Sequence, residues 1–362
     1  MSKDARISEI ASTLALFELG STPLFLLGAE AKQDAWLAMI IAAAAGFILL
    51  LAYLWIYRLS PERDLFEISL HYLGKIPGWI VAFSFVGYFT YECSRNLRDI
   101  GELCSMTLLN QTPMVMISLL AIGVITFVSS YGPKVFFRLC VIFIYLLTFG
   151  YALILISIPM TGLFHHEFMF PILENGLKPV WDSAIPEIVS FPFGQVVLFL
   201  VFFKYAPKGK KLGKGIISTY IVVSLMLTIL NQTVILVLNP DVAGLTTYPL
   251  LTVVQMIHAA QIVERADALF TLILFIGLGV KMCIFFIGSA IGMQRLTTIR
   301  YKIWLIPLAL TVFVLSFLSR TYTEFIWEGL HYAVVRVFPI FQVALPAILL
   351  ITMLIRKTKH QK

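Results

Sequence analysis

Ionisable side chains fall inside apolar stretches of this sequence, where a charge is costly and therefore usually faces a cavity or a partner. The richest stretch, residues 79–103, holds five of them: Glu92, Arg95, Arg98, Asp99 and Glu102. Steps of three or four residues place Glu92, Arg95, Asp99 and Glu102 on one helical face. The pairs Arg95–Asp99 and Arg98–Glu102 have the spacing of helical ion pairs. We therefore expect a polar stripe facing the interior of a helix bundle. The alternative is a helix that ends early and leaves Asp99 and Glu102 in solvent.

Two more charges lie alone in apolar surroundings. Lys281 lies in the middle of the run Gly279-Val280-Lys281-Met282, and Glu18 lies in the first apolar run. A protonated lysine could take the place of a bound sodium ion and brace its helix against an interrupted first helix. It could equally be a structural lysine paired with Glu18. Glu18, Lys281, Glu92 and Glu102 are thus candidates for proton coupling or for structural charge.

The composition requires a bilayer around most of the chain. Hydrophobic residues make up 59%, charged residues only 13%, and the mean hydropathy is +0.91, far from the balance of a soluble domain. The net charge of +7 comes from short connectors between apolar runs, which argues against nucleic-acid binding. We expect one transmembrane domain over residues 1–362, of the all-α polytopic class.

No pattern in the sequence indicates catalysis. The four cysteines show neither metal-ligand spacing nor a disulfide framework. A phosphate-binding glycine loop, a nucleophile elbow and a metal-binding HExxH pattern are also missing from the sequence. We expect no enzyme activity, no cofactor and no metal.

About ten apolar runs are long enough to cross a membrane as helices. They are Ile10–Leu27, Trp36–Tyr57, Trp79–Leu103, Met114–Ser130, Val135–Met160, Ile185–Tyr205, Ile216–Leu238, Leu269–Ile291, Ile303–Leu318 and Val334–Ile355.

Lysine and arginine are concentrated in the connectors on the side of the two termini, whereas the opposite connectors hold only Lys32, Lys178, Arg265 and Arg320. The positive-inside rule therefore predicts that both termini are cytosolic. In the long outer connector 239–267, helical spacing predicts a helix over Leu250–Val263 that covers the outer mouth, with a plain surface loop as the alternative.

Two of the predicted helices are interrupted at equivalent places. The first contains Gly20-Ser21-Thr22-Pro23, and the sixth contains Phe191-Pro192-Phe193-Gly194. Breaks in the first and sixth of ten spans indicate an inverted-repeat transporter architecture with a ligand site at the bilayer midplane. The alternative is a pair of unrelated kinks.

Several motifs in this order resemble the B subunits of spore germinant receptors. They are Phe17 to Thr22, Gln33 to Trp36, Tyr88 to Tyr91 with Arg95, Arg98 and Gly101-Glu102, Tyr248-Pro249, and Glu264 to Phe270. The similarity extends from about residue 7 to the last span. It places the chain with the endospore germination permeases of the amino acid–polyamine–organocation superfamily.

This resemblance implies a fold of the LeuT type, with inverted repeats of five helices over about 7–160 and about 180–356. It also implies a nutrient-sensing receptor subunit in the spore inner membrane, beside A-type and C-type subunits. The ligand would be a small nutrient, with an amino acid favoured, bound between helices 1, 3, 6 and 8. We expect its site to include Gly20, Ser21, Thr22, Tyr91, Arg95, Phe191, Phe193, Gly194 and Phe285. A proton-coupled amino-acid transporter and a scaffold subunit with a vestigial pocket are the alternatives.

Overall fold

The computed structural model describes residues 5–207, 211–259 and 266–360, and the secondary structure assigned in those ranges is helical. The α-helices are α1 (Ile7–Ser21), α2 (Ala35–Leu59), α3 (Leu65–Leu73), α4 (Lys75–Thr107), α5 (Met114–Ser129), α6 (Pro133–Met160), α7 (Leu177–Asp182), α8 (Lys211–Leu238), α9 (Pro240–Leu245), α10 (Pro249–Ala259), α11 (Ala266–Thr297), α12 (Tyr301–Ser316), α13 (Tyr322–Ile326) and α14 (Leu345–His360). Short 3-10 and π-helical segments extend or join several of them. Lys3, Lys208, Lys210, Glu264, Arg265 and Lys362, which belong to the connectors and motifs discussed above, lie outside the described residues.

Within the described ranges, six helical segments are long and apolar enough to cross a membrane. They are Ala29–Leu59, Pro133–Met160, Leu177–Val201, Lys211–Leu238, Asp267–Thr297 and Tyr322–Lys357. Two shorter apolar helices, α5 and α12, accompany them. Large apolar side chains on these helices are exposed, among them Ile48, Leu120, Ile142 and Ile306, as expected for surfaces that face lipid. The chain is an integral membrane protein.

Each of the ten predicted spans corresponds to a helical segment. In order, these are α1, α2, α4, α5, α6, the segment Leu177–Val201, α8, α11, α12 and the segment Tyr322–Lys357. The third span does not end early, since α4 runs unbroken to Thr107 and Asp99 is buried within it. A solvated extension is therefore the wrong interpretation of Asp99. A helix in the predicted stretch Leu250–Val263 is confirmed as α10 up to Ala259, and residues 260–263 lie outside the described ranges.

The core of the bundle is built on α1, α4 and α11. The third and eighth spans, α4 and α11, pack along each other, and α1 packs against α6, α8 and α11. Glycines permit the closest approach: a Cβ on Gly20 of α1 would lie 2.6 Å from the carbonyl oxygen of Gly277 on α11. No side chain fits between these two backbones. The glycines therefore fix how deeply α1 sits against α11.

A cluster of charges ties three elements together at one end of the bundle. Asp64 is fully buried and accepts hydrogen bonds from Lys204 Nζ at 2.5 Å and from Arg295 Nε at 3.0 Å. Glu67 lies one turn along α3 and pairs with Lys204 at 3.0 Å. Asp64 also caps the N-terminus of α3, where its Oδ1 accepts the Glu67 N–H at 2.9 Å. This cluster links α3 to the end of the sixth span and to the end of α11.

The first described residue, Ala5, and Arg356 in the last helix lie at this same end. The backbone N–H of Ala5 donates to the carbonyl of Tyr205 at 2.8 Å, next to Lys204. Near the C-terminus, Arg356 Nη1 donates to the carbonyl of His71 in α3 at 3.1 Å.

A different set of contacts closes the opposite end. Lys32 pairs with Asp241 at 3.0 Å, and both oxygens of Asp34 accept from the Leu173 N–H at 3.0 Å. Gln33 Nε2 donates to Glu174 Oε2, also at 3.0 Å. This end carries the connectors that the sequence analysis assigns to the outer face.

Candidate functional site

The break in the first span is a change of helix type. α1 ends at Ser21, and Thr22–Leu24 continues as a single 3-10 turn with Pro23 inside it. Proline supplies no N–H for an α-helical bond and favours such an end. Thr22 Oγ1 donates to the carbonyl of Glu18 at 2.5 Å, so one carbonyl at the helix end is satisfied locally. Glu18, Ser21 and Thr22 are all buried.

The break in the sixth span lies directly across from the first. A short α- and π-helical segment ends near Val189, turns at Phe191 and Pro192, and resumes as a 3-10 helix over Phe193–Val201. Phe191 approaches Phe25, just beyond the first break, with ring centroids 6.1 Å apart. The predicted interruptions are thus both present and lie close together.

Lys281 of α11 lies between the two breaks. Its Nζ is 4.6 Å from the ring centroid of Phe191 and 5.2 Å from that of Phe17, distances at which an ammonium is attracted to an aromatic face. The side chain is 0% exposed. Among the residues described, Nζ has no hydrogen-bond partner.

Glu18 provides the opposite charge at this centre. It is 1% exposed, and within the described part of the chain neither of its carboxylate oxygens has a hydrogen-bond partner. Lys281 and Glu18 interact electrostatically, but the direct hydrogen-bonded pair that the sequence suggested as one alternative is not formed.

Of the polar stripe of α4, which faces the interior of the bundle as predicted, Glu92 is the residue that meets this centre. Glu92 Oε2 accepts from Gln195 Nε2 at 2.5 Å, which joins the third span to the sixth. Arg95 Nη1 lies 3.6 Å from Glu92 Oε1. The predicted direct pairing of Arg95 with Asp99 is wrong, because Asp99 Oδ1 instead accepts from the Tyr322 hydroxyl at 3.1 Å.

The last span surrounds the guanidinium of Arg95. The guanidinium carbon lies 5.8 Å from the ring centroid of Phe325 and 6.0 Å from that of Phe338. Gly329 leaves the space that the guanidinium occupies, since a Cβ there would lie 2.5 Å from Arg95 Nη2. Arg95 is therefore held by the third and tenth spans and not by the first and sixth.

The predicted Arg98–Glu102 pair is confirmed, with Arg98 Nη2 2.9 Å from Glu102 Oε1. Arg98 Nη1 also donates to the carbonyl of Ser316 at 3.3 Å, and its guanidinium faces the ring of Phe317 at 5.7 Å. These contacts join α4 to the end of α12, away from Lys281. Glu102 thus pairs, within α4, with an arginine that also contacts the end of the ninth span.

Other predicted residues divide between the centre and its surroundings. Phe285 packs against Phe17 with ring centroids 5.1 Å apart, directly beside Lys281. Tyr91 is half-buried and contacts Phe338, at 6.4 Å between ring centroids. Phe193 turns away from the centre and packs on Tyr220 of α8 at 5.7 Å.

Gln195 and Gln342 are polar residues at this centre that the sequence analysis did not single out. Gln342 of the tenth span donates from Nε2 to the Tyr88 hydroxyl at 2.8 Å and to the Ser190 carbonyl at 2.9 Å. The Tyr53 hydroxyl of α2 donates to the backbone carbonyl oxygen of Gln342 at 2.5 Å. A glutamine inside an apolar run is itself an unusual feature that could have pointed to both residues.

The centre is closed in this conformation. Glu18, Glu92, Gln195 and Lys281 are each 1% exposed or less. A space of about 10 Å³ beside Thr22 and Pro23 has room for about one water molecule. A larger polar cleft of about 290 Å³ lies at the opposite end from the charge cluster of Asp64, between Lys32, Glu174 and Asp241. A small molecule could reach Lys281 only after helices move.

Within the described ranges, no three histidine, cysteine, aspartate or glutamate side chains are grouped so that they could hold a metal ion. All four cysteines are buried as free thiols.

Fold and site together define an α-helical integral membrane protein with a buried polar centre between two interrupted helices. A family model described as "Spore germination protein" matches residues 6–325. The chain therefore belongs to this family of germination permeases, which is not a class of enzymes, and the resemblance drawn from the motifs is confirmed.

Curated relatives from Bacillus subtilis (strain 168) cover most of the chain. Spore germination protein KB is 28% identical over 362 residues, which are 99% of this chain and 97% of the relative. Spore germination protein A2 is 25% identical over 86% of this chain and 84% of its own length. Spore germination protein B2 is 23% identical, with coverages of 78% and 77%.

Proposed function

We propose that this chain is the nutrient-sensing subunit of a spore germinant receptor. A small ligand, an amino acid in the favoured case, binds at the midplane between the interrupted first and sixth spans and the third and eighth spans. One observation carries this proposal: the two breaks lie on either side of Lys281, whose ammonium contacts aromatic rings from both of them. A ligand bound there would contact both interrupted helices and could move both of them.

The packing of the helices supports a LeuT-type arrangement of two inverted five-span repeats. In such a fold, each span of the first repeat corresponds to the span five places later in the chain. Every contact between two spans should therefore have a counterpart between the two corresponding spans. The first span packs on the seventh, and the second packs on the sixth. The fourth packs on the eighth, and the ninth packs on the third. The pairs two–seven and three–eight map onto themselves, and both are in contact.

The charge of the connectors supports cytosolic termini. The end that holds Ala5 and Arg356 also holds Lys204 and Arg295, and lysine and arginine resist translocation. In a spore this orientation would place the polar cleft near Lys32 on the outer side of the inner membrane, where a nutrient arrives. A-type and C-type receptor subunits would bind one conformation of this subunit better than the other and so respond to the change of conformation.

The signal would be a shift between conformations. The centre is closed here, so a ligand must favour another arrangement of the first and sixth spans in order to bind. The ligand can change the free-energy difference between the two conformations by at most the difference between its binding free energies for them.

A ligand screen on purified protein tests this function. Amino acids, sugars and nucleosides are added singly, and a ligand should raise the melting temperature of the wild type in a dose-dependent manner. Lys281→Met should lose this shift, whereas Lys178→Met, which changes a lysine of an outer connector, should keep it. In spores, Lys281→Met should abolish the nutrient response even when its protein level is matched to that of the wild type by expression, because Lys281→Met also lowers stability. An unaltered response in Lys281→Met spores would overturn the site.

Lys281 and Glu18, which have no hydrogen-bond partner among the described residues, also favour a second function, a proton-coupled amino-acid transporter. Buried ionisable groups without fixed partners are the usual elements of proton relays in transporters. Accumulation of a labelled amino acid in proteoliposomes under a proton gradient, lost in Lys281→Met, would identify this function. Ligand binding without accumulation would leave sensing as the function.

A further inference from the structure

We propose that Gln342, Gln195 and Glu92 form a subsite for the ammonium group of the ligand. This proposal rests on the function proposed above and adds the chemical group that the receptor recognises. The three side chains come from the tenth, sixth and third spans. Each has an oxygen that accepts no hydrogen bond within the described part of the protein, and the one on Glu92, Oε1, lies 3.6 Å from Arg95 Nη1 in an ion pair.

Gln342 is oriented by its neighbours. Its Nε2 faces the carbonyl of Ser190 at 2.9 Å, and a carbonyl can only accept a hydrogen bond. The nitrogen must therefore point to Ser190 and Tyr88, and Oε1 must point the other way. That oxygen lies against Gly194, where a Cβ would be 2.7 Å from Gln342 Cδ. In the described residues, Oε1 has no donor.

Gln195 is oriented by the same reasoning. Its Nε2 donates to Glu92 Oε2 at 2.5 Å, so its own Oε1 is directed elsewhere. Gln195 is 0% exposed and Glu92 is 1% exposed. Among residues that the structure covers, neither Gln195 Oε1 nor Glu92 Oε1 receives a hydrogen bond.

These acceptors belong to one location. Gln195 bonds Glu92 directly, and Gln342 bonds Tyr88, which is one helical turn from Glu92 on α4. Gly194, the neighbour of Gln195, contacts Gln342. The acceptors therefore surround the start of the 3-10 helix after the sixth-span break.

The surplus of acceptors selects the chemistry of the group that satisfies them. An unpaired buried acceptor costs free energy, and an ammonium supplies three donors and no acceptor. A hydroxyl supplies only one donor and brings lone pairs of its own. Arg95 Nη1 balances the charge of Glu92 at 3.6 Å without a hydrogen bond, and Lys281 Nζ lies against the rings of Phe17 and Phe191, so the glutamine oxygens are left for the ligand.

The test compares amino acids with their 2-hydroxy analogues. L-alanine is paired with L-lactate, L-valine with L-2-hydroxy-3-methylbutyrate, and D-glucose is the probe without an amino group. Binding to purified full-length protein is measured in the wild type and in Gln342→Leu and Gln232→Leu. Gln232 of α8 is the matched control, since it is also buried, with an Oε1 that has no donor among the described residues.

The wild type should prefer an amino acid over its hydroxy analogue by about tenfold or more, the size of a hydrogen bond to a charged group. Gln342→Leu should reduce that preference to about threefold or less. Gln232→Leu should retain it. These variants separate recognition from folding, since a purely structural Gln342 would weaken both members of a pair equally.

Equal weakening of both analogues in Gln342→Leu would overturn the proposal. Binding of D-glucose but of neither amino acid would also overturn it, while ligand sensing itself would stand. If no amino acid, sugar or nucleoside binds the wild type, the proposed function fails and this subsite fails with it.

Discussion

Lys281 and Glu18 are residues of opposite charge type in the middle of the bundle. The contribution of each to the stability of the protein depends on the presence of the other. Both are buried, and the ammonium of Lys281 rests on the rings of Phe17 and Phe191. Removal of one member of a buried charge pair leaves the other uncompensated, which is far more costly than removal of both. The interaction can therefore be measured even without a direct hydrogen bond between them.

We expect Lys281→Met and Glu18→Gln each to destabilise the protein, by up to about 3–5 kcal/mol. The double variant should lose clearly less than the sum of the two single losses, because no lone charge remains. Melting temperatures of the purified proteins in detergent, followed by tryptophan fluorescence, provide the comparison. Strictly additive losses would show that the two charges do not interact.

At the scale of elements, substitutions of two glycines in α11 can test how closely α1 packs against this helix. Gly277 faces Gly20, and a Cβ on Gly277 would lie 2.9 Å from the Gly20 carbonyl oxygen. Gly279, two residues along the same helix, would place its Cβ where the described structure has no atom within 4 Å. The two positions differ in packing and share their helix, so they form a matched pair.

Gly277→Ala should destabilise the protein by about 1–3 kcal/mol, the usual cost of forcing a methyl group into a packed contact. Gly279→Ala should be neutral or slightly stabilising, because alanine is the better helix former. Thermal unfolding of the two variants beside the wild type measures both effects. Equal melting temperatures for the two variants would contradict the close contact between α1 and α11.

The charge cluster of α3 gives this end of the molecule a dependence on pH. Burial acts to raise the pKa of the Glu67 carboxyl, but the Asp64 backbone N–H and the Lys204 and Arg295 charges outweigh it. The pKa of Glu67 is therefore lowered from its ordinary value of 4.5. A carboxyl with a lowered pKa in the folded state stabilises the fold above its unfolded value, and loses that contribution as pH falls.

We expect the wild type to melt above Glu67→Gln at pH 7, and the difference between them to shrink as pH falls below 4.5 and through the lowered pKa of Glu67 in the folded state. The glutamine side chain of the variant does not titrate, so the variant supplies the baseline at each pH. Melting curves of both proteins across this pH range check the prediction. A difference that stays constant with pH would show that the Glu67 charge contributes nothing to stability.

At the scale of the whole molecule, the two ends of the bundle differ in charge and should face different compartments. The end near α3 holds Ala5, Arg356 and the basic residues Lys204 and Arg295. The other end holds the cleft between Lys32, Glu174 and Asp241. Because the four native cysteines are buried, single added cysteines can report on each end with little background.

Glu167→Cys at the cleft end should react with a membrane-impermeant maleimide on intact cells. Lys75→Cys, at the start of α4 beside α3, should react only after the membrane is permeabilised. Labelling is read from gels of the purified protein, with the wild type as the background control. Labelling of Lys75→Cys on intact cells would reverse the orientation proposed from the connectors.

Much of the fold follows from local properties of the sequence. Apolar length determined the helical segments, because backbone groups in lipid must be satisfied within the helix. The breaks at Pro23 and Pro192 were readable for a similar reason, since proline cannot continue an α-helical ladder. Helical periodicity also placed the charges of α4 on one face.

Only the tertiary structure decided which partners these groups meet. Spacing allowed Asp99 to pair with Arg95, but its partner is the hydroxyl of Tyr322, 223 positions away in sequence. Gln342 meets Ser190 across 152 positions, and Gln195 meets Glu92 across 103. Periodicity fixes the face of a helix on which a side chain lies, whereas its partner depends on how distant helices pack. The sequence by itself determined the helical segments and their interruptions, and the packing of the third, sixth and tenth spans decided which side chains meet at the candidate site.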